Sequence, residues 1–292
     1  MKRICAAFLL AFVGLLGVAQ EPVAPKTAIP LIASDSHHRS TSVSVASLLI
    51  TDQKIAVTGA NLVRAADLPV ELGVLIDASG SQRSADLASI LKATKQFASE
   101  VIQGPNDRVF ILQFTATPQA TGWLTREQVQ TVNVKVSLGG GTALYDAVAM
   151  ACKERMGPTN RQRPTRRILV LISDGEDNQS HITREAAASE ALRAGAVIFT
   201  IDTTLVYMLY GQYGAKTMET LAELTGGESF HEVGGQEVAR VFVSIKEMIG
   251  GMYYLTYVSP ESSKSAVHEV EVRPARKEKF KLSYARKYFW EQ

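Results

Sequence analysis

The stretch Val70-Glu71-Leu72-Gly73-Val74-Leu75-Ile76-Asp77-Ala78-Ser79-Gly80-Ser81 constrains this chain more than any other. A short apolar run bounded by turn residues reads as a strand buried on both faces, as in a parallel sheet. It stops abruptly at an acid followed by two hydroxyls. In an open α/β sheet, ligands bind in the crevice beyond the carboxyl ends of the strands. Asp77, Ser79 and Ser81 alternate, so along a roughly extended backbone their side chains converge. One carboxylate and two neutral hydroxyls make an all-oxygen half-site suited to a hard divalent cation such as Mg²⁺.

Two later stretches can complete such a site. Gly139-Gly140-Gly141-Thr142-Ala143-Leu144-Tyr145-Asp146 is a glycine loop running into a helical pattern, with Thr142 at the expected N-cap. Arg167-Ile168-Leu169-Val170-Leu171-Ile172-Ser173-Asp174-Gly175 is a second buried strand that ends at an aspartate. Each element has a bland alternative when taken alone. D-x-S-x-S and Thr142 both suit helix caps, and Asp174 suits an Asx turn into Gly175. Their occurrence together, in order, on two strand ends and one loop–helix junction favours metal. Asp146 and Asp177 are expected to serve a helix terminus or a turn, outside the ion's own ligands.

In these three stretches the sequence resembles the von Willebrand factor type A family, whose metal-ion-dependent adhesion site (MIDAS) has D-x-S-x-S, then a Thr, then an Asp within S-D-G. Asp77, Ser79, Ser81, Thr142 and Asp174 match all five positions. A similarity to a bacterial secreted subgroup extends through Leu221-Ala222-Glu223-Leu224-Thr225-Gly226-Gly227 and the Tyr254–Tyr257 run, so the resemblance covers the chain from about Leu68 onward. It implies an α/β fold, a doubly wound, mainly parallel sheet flanked by helices. It also implies Ser and Thr ligands acting directly or through water, with the last position on the cation left for a partner's Glu or Asp. Mg²⁺ is the expected ion, with Mn²⁺ and Ca²⁺ as alternatives.

Met1-Lys2-Arg3, an apolar run from Ile4 to Val18 and the small residues Gly17-Val18-Ala19 read as a secretory signal over residues 1–19. A short membrane anchor is the alternative, but the run is under the ~20 residues a span needs. The expected location is therefore secreted, periplasmic or cell-envelope, with no membrane span after cleavage. Without Lys2 and Arg3 the 31 Lys and Arg fall to 29, equal to the 29 Asp and Glu. That balance argues against a nucleic-acid binder. Of the two cysteines only Cys152 would remain, which excludes an internal disulfide and a cysteine-based zinc site.

Residues 20–40 are rich in Pro, Ala, Ser and Thr without a period and are expected to form a flexible tether. Residues 41–68 hold two β-prone runs around Thr51-Asp52-Gln53, expected as a hairpin. The α/β domain is expected over 69–250. The strand patterns of 251–292 should join the hairpin in a small antiparallel appendage. Leu205–Gly214 leaves a strand's carboxyl end, which makes Tyr207, Tyr210 and Tyr213 candidates for a partner-binding rim, with packing on the body as the alternative.

The expected function is metal-dependent binding of an acidic protein partner, without catalysis. A Mg²⁺-dependent phosphatase-like hydrolase is the rival from another class, but that chemistry needs a second acid where this chain has Ser79. A serine hydrolase would want Gly at position 77 within Gly-x-Ser-x-Gly. A structural subunit of an envelope complex is the remaining alternative.

Overall fold

The computed structural model describes residues 26–134, 138–158, 165–204, 212–231, 234, 237–260 and 266–290. The amino-terminal part supplies strands β1 (Lys26–Ser34), β2 (Leu48–Asp52), β3 (Ile55–Ala56) and β4 (Asn61–Arg64). The middle supplies β5 (Val70–Asp77), β6 (Arg108–Phe114), β7 (Pro118–Ala120), β8 (Arg166–Ser173), β9 (Ala196–Asp202) and β10 (Ser229–Phe230). The carboxyl-terminal part supplies β11 (Tyr253–Val258), β12 (Ala266–Pro274), β13 (Lys281–Tyr284) and β14 (Lys287–Trp290). The helices are α1 (Ser84–Val101), α2 (Arg126–Thr131), α3 (Leu144–Met150), α4 (Arg184–Ala194), α5 (Gln212–Thr225) and α6 (Val238–Gly250).

The middle strands form a six-stranded sheet in the order β10-β9-β8-β5-β6-β7, parallel except for β7 at the edge. Every residue of β5, β8 and β9 is buried, so neither face of these strands meets water. Leu72, Val74 and Ile76 point into a core shared with Leu87, Phe97, Phe242 and Ile245 of α1 and α6. Leu75 points the other way, toward Leu144, Val148, Ala187 and Leu221 of α3, α4 and α5. The chain order reverses at β5, which has β6 on one side and β8 on the other. In sheets of this kind such a reversal opens a crevice at the carboxyl ends of the strands, and Asp77 ends β5 on that side. A side chain at Gly73 would place its Cβ 2.5 Å from both Leu169 Cδ2 and Phe110 Cζ, so the bulk of those neighbours dictates glycine there.

The remaining strands form two antiparallel four-stranded sheets, β13-β1-β11-β4 and β14-β12-β2-β3. Ile29, Leu31, Tyr253, Leu255 and Tyr257 of the first share one core with Leu48, Ile50, Val270 and Val272 of the second. The first sheet also sends Ile32 and Tyr254 into the α/β core, which joins the two parts. Asp52, fully buried, closes the sandwich interior. It accepts from Ser259 Oγ at 2.8 Å and Tyr288 OH at 2.6 Å, with His268 Nδ1 at 3.1 Å.

Two boundaries differ from the sequence expectations. The tether assigned to 20–40 gives way at Lys26 to β1, which lies between β11 and β13. Pro30 within this strand pairs with Tyr254 of β11, and pairing with β13 begins one residue later, at Leu31. The hairpin of 41–68 is real as β2 and β3, turned by Gln53 (φ 50°) and Lys54 (φ 66°), but β4 leaves it for the other sheet. The strand patterns of 251–292 divide into four strands among the described residues, the last of them β14. The signal expected over 1–19 lies outside the described residues.

Candidate metal centre

Asp77 is the last residue of β5 and only 2 % exposed. Its carboxylate is held from two sides: Oδ1 accepts from Ser79 N at 2.8 Å, and Oδ2 accepts from Ser173 Oγ at 2.6 Å. Ser173 Oγ in turn accepts from Gly175 N at 2.9 Å, so one hydroxyl braces both strand ends. Burial pushes the Asp77 carboxyl up to about 6, the bonds from Ser173 and Ser79 offset part of that rise, and the nearby charge of Asp174 adds to it.

The Asp77 bend brings Ser79 Oγ to 3.2 Å from Ser81 Oγ. The glycine loop is laced to the same bend, because Gly139 N donates to Ala78 O at 3.1 Å and Gly80 N to Gly140 O at 3.3 Å. The Asp174 loop reaches the glycine loop through Asn178, whose Oδ1 accepts from Thr142 N at 2.9 Å. Asn178 N and Gln179 N then donate to Thr142 O, each at 3.0 Å. Asp77, Ser79 and Thr142 are buried, Asp174 is half-buried and Ser81 is exposed. The Asp77 bend, the glycine loop and the Asp174 loop are therefore tied together by hydrogen bonds, with Ser81 exposed to solvent.

The donor set fits a hard divalent cation: two carboxylates and three hydroxyls, all oxygen. Among the described residues no ion pair reaches Asp77 or Asp174, so the buried charge has no cationic side chain to answer it. Nor do the described residues contain a group of three or more His, Cys, Asp and Glu placed to hold a metal, so no nitrogen- or sulfur-rich cluster competes.

Thr142 was expected at the N-cap of α3, but the N-cap is one residue later, at Ala143, which makes no side-chain cap bond. Capping comes from the neighbouring loop: Asp177 Oδ2 accepts from Tyr145 N at 3.1 Å and Ser180 Oγ from Asp146 N at 3.0 Å. Asp146 answers by accepting from His181 N at 3.1 Å. Asp146 and Asp177 thus serve a helix terminus and a turn, as their positions suggested. Ser173 and Asn178 were missed as supports. Their only sequence signal is adjacency to Asp174 and Asp177, which carries no direction.

Of the rim candidates, Tyr207 and Tyr210 lie outside the described residues. Tyr213 falls in the first turn of α5 and is 82 % exposed, beside Gly214, whose backbone runs against Asp174 and Gly175.

Fold and site together define a doubly wound α/β domain with Asp77, Ser79 and Asp174 at the carboxyl ends of its two central strands. The chain belongs to the von Willebrand factor type A domain family, which it matches over residues 71–239. A UPF0353 protein of Mycobacterium leprae is 28% identical over 200 residues, which is 61% of this chain and 59% of the relative's own length. The pilus adhesin SpaC of Lactobacillus rhamnosus GG, in its open conformation, superposes with a TM-score of 0.51 at 10% identity, over 83% of this chain and 46% of SpaC. Proximal thread matrix protein 1 of the mussel byssus, solved with zinc in its MIDAS motif, gives 0.49 at 16% identity, over 67% of this chain and 49% of that one. Likeness at such identities speaks for the fold alone.

Proposed function

We propose that the protein is a secreted or cell-envelope binding module that captures a Glu or Asp of a protein partner through a divalent cation held by Asp77, Ser79, Ser81, Thr142 and Asp174. The observation that carries this reading is the buried Asp77 carboxylate, with no ion pair among the described residues, at a strand end tied by hydrogen bonds to Ser79 and Ser173 and beside the Ser79–Ser81 hydroxyl pair. Mg²⁺ suits that set best, and Mn²⁺ or Ca²⁺ can replace it. When bound, the cation supplies an electrophilic corner for an incoming carboxylate.

The chain's own residues do the rest. Ser173 and Ser79 N fix the Asp77 carboxylate, and the two carboxylates offset the ion's charge only in part when Asp174 acts through water. A site so under-neutralised favours a further anion over a neutral ligand. The exposure of Ser81 leaves the approach open, and Tyr213, beside the Asp174 loop, offers an amphipathic contact at its edge. Nothing in this arrangement requires bond-breaking chemistry, and we read the protein as a binder without enzymatic activity. The amino-terminal signal pattern supports the envelope location, and among the described residues no helix is long and apolar enough to cross a membrane.

The test is capture of an envelope partner by the immobilised protein in Mg²⁺, repeated in EDTA and with Asp77→Ala. Retention should fall to background in both controls while the fold persists by circular dichroism. A partner retained equally in EDTA would refute the mechanism.

A further inference from the structure

Resting on the metal reading of this site, we infer that Asn178 and Asp177 are positioning residues for the ion: Asn178 grips the main chain of Thr142, and Asp177 caps the start of α3 from outside. The first N–H groups of a helix must find acceptors, and the N-cap side chain ordinarily supplies one. Ala143, the N-cap of α3, has no acceptor in its side chain. Here the 177–181 loop supplies those acceptors instead.

Asp177 takes Tyr145 N at 3.1 Å and Ser180 takes Asp146 N at 3.0 Å, while Asn178 takes Thr142 N, which precedes the N-cap, at 2.9 Å. Asp177 is itself fixed by Ser180, whose Oγ donates to Oδ2 at 2.6 Å and whose N donates to Oδ1 at 3.2 Å. Thr142 O accepts from Asn178 N and Gln179 N, so the main chain of Thr142 is gripped on both its N–H and its carbonyl. A Cβ added at Gly141 would lie 2.6 Å from Asn178 Oδ1, which shows how closely the two loops approach. The loop that carries Asp174 therefore sets the position of the Thr142 main chain, which ties two of the five proposed ligands together.

Asn178 is exposed and Asp177 half-buried, so both can be altered without opening the core. The experiment is a Mn²⁺ titration by isothermal calorimetry on the full chain, with melting in chelator as a fold control. The variants are Asn178→Ala, Thr142→Val and the pair together, with Asp177→Asn run through the same cycle as a second, shape-conserving probe. Asn178→Ala is expected to weaken Mn²⁺ about tenfold, the loss typical when a group that orients a ligand is removed. Because Asn178 acts through Thr142, the double variant should bind no more weakly than Thr142→Val alone. Losses that multiply in the double variant, or wild-type affinity in Asn178→Ala and Asp177→Asn, would overturn the inference while the metal reading stands. A wild-type chain that takes up no Mn²⁺ would overturn both.

Discussion

Replacing Asp77 by Asn is expected to stabilise the ion-free protein at neutral pH while abolishing its affinity for divalent cations. The sign follows from burial. The Asp77 carboxyl rises from 3.8 to about 6 in the fold, so the folded state holds its proton where the unfolded chain has lost it. Stability from this group is present in full below pH 3.8 and is lost as pH rises through about 6. A shift of about two units corresponds to roughly 3 kcal/mol. Asn keeps an acceptor for Ser79 N and turns an amide toward Ser173 Oγ, so the bend survives without the charge. Urea denaturation in chelator should show wild-type stability falling between about pH 4 and pH 7 by that order, and the variant lacking this component. Equal pH slopes in the two proteins would show that Asp77 carries no such strain.

The second large effect lies at the opposite end of the same strand. Glu71, 7 % exposed on β5, is flanked by Arg108 of β6 and Arg167 of β8. Arg167 Nε donates to Glu71 Oε2 at 2.9 Å, and its NH1 also donates to Gly157 O at 2.9 Å and Ala194 O at 2.8 Å. Removing the carboxylate leaves a buried guanidinium without its counter-charge, which typically costs about 3–5 kcal/mol. Glu71→Ala should lower unfolding free energy by that amount in urea. Glu71→Leu combined with Arg167→Met should recover much of the loss, because no buried charge then stands alone. A Glu71→Ala loss under about 1 kcal/mol, the range of a solvent-screened surface pair, would contradict this account.

The α/β body was legible because its strands carry the signal themselves. Val70–Asp77 and Arg166–Ser173 are wholly buried, and a continuous apolar run that stops at an acid has few other uses. The proposed ligands were legible for a related reason: each sits where a strand or glycine loop ends, so chain position and chemistry coincide. What stayed hidden depends on contacts between distant segments. β1 has only Ile29, Leu31 and Ile32 as large apolar residues, and these point to two different cores, so no single-face alternation shows in the sequence. Thr142 looked like a cap because capping was read locally, whereas Asp177 and Ser180 reach α3 from more than thirty residues away. The strands β4 and β14 are four residues each and take their place from pairing with β11 and β12, not from their own patterns.

The central claim is that Asp77, Ser79, Ser81, Thr142 and Asp174 hold one ion between them. Anomalous diffraction from crystals of the protein grown with Mn²⁺ tests it most directly. The account predicts a single strong Mn²⁺ peak in the crevice bounded by those five residues, lost in crystals of Asp77→Asn. A map with no peak there, or with Mn²⁺ bound only by residues elsewhere in the chain, would contradict it.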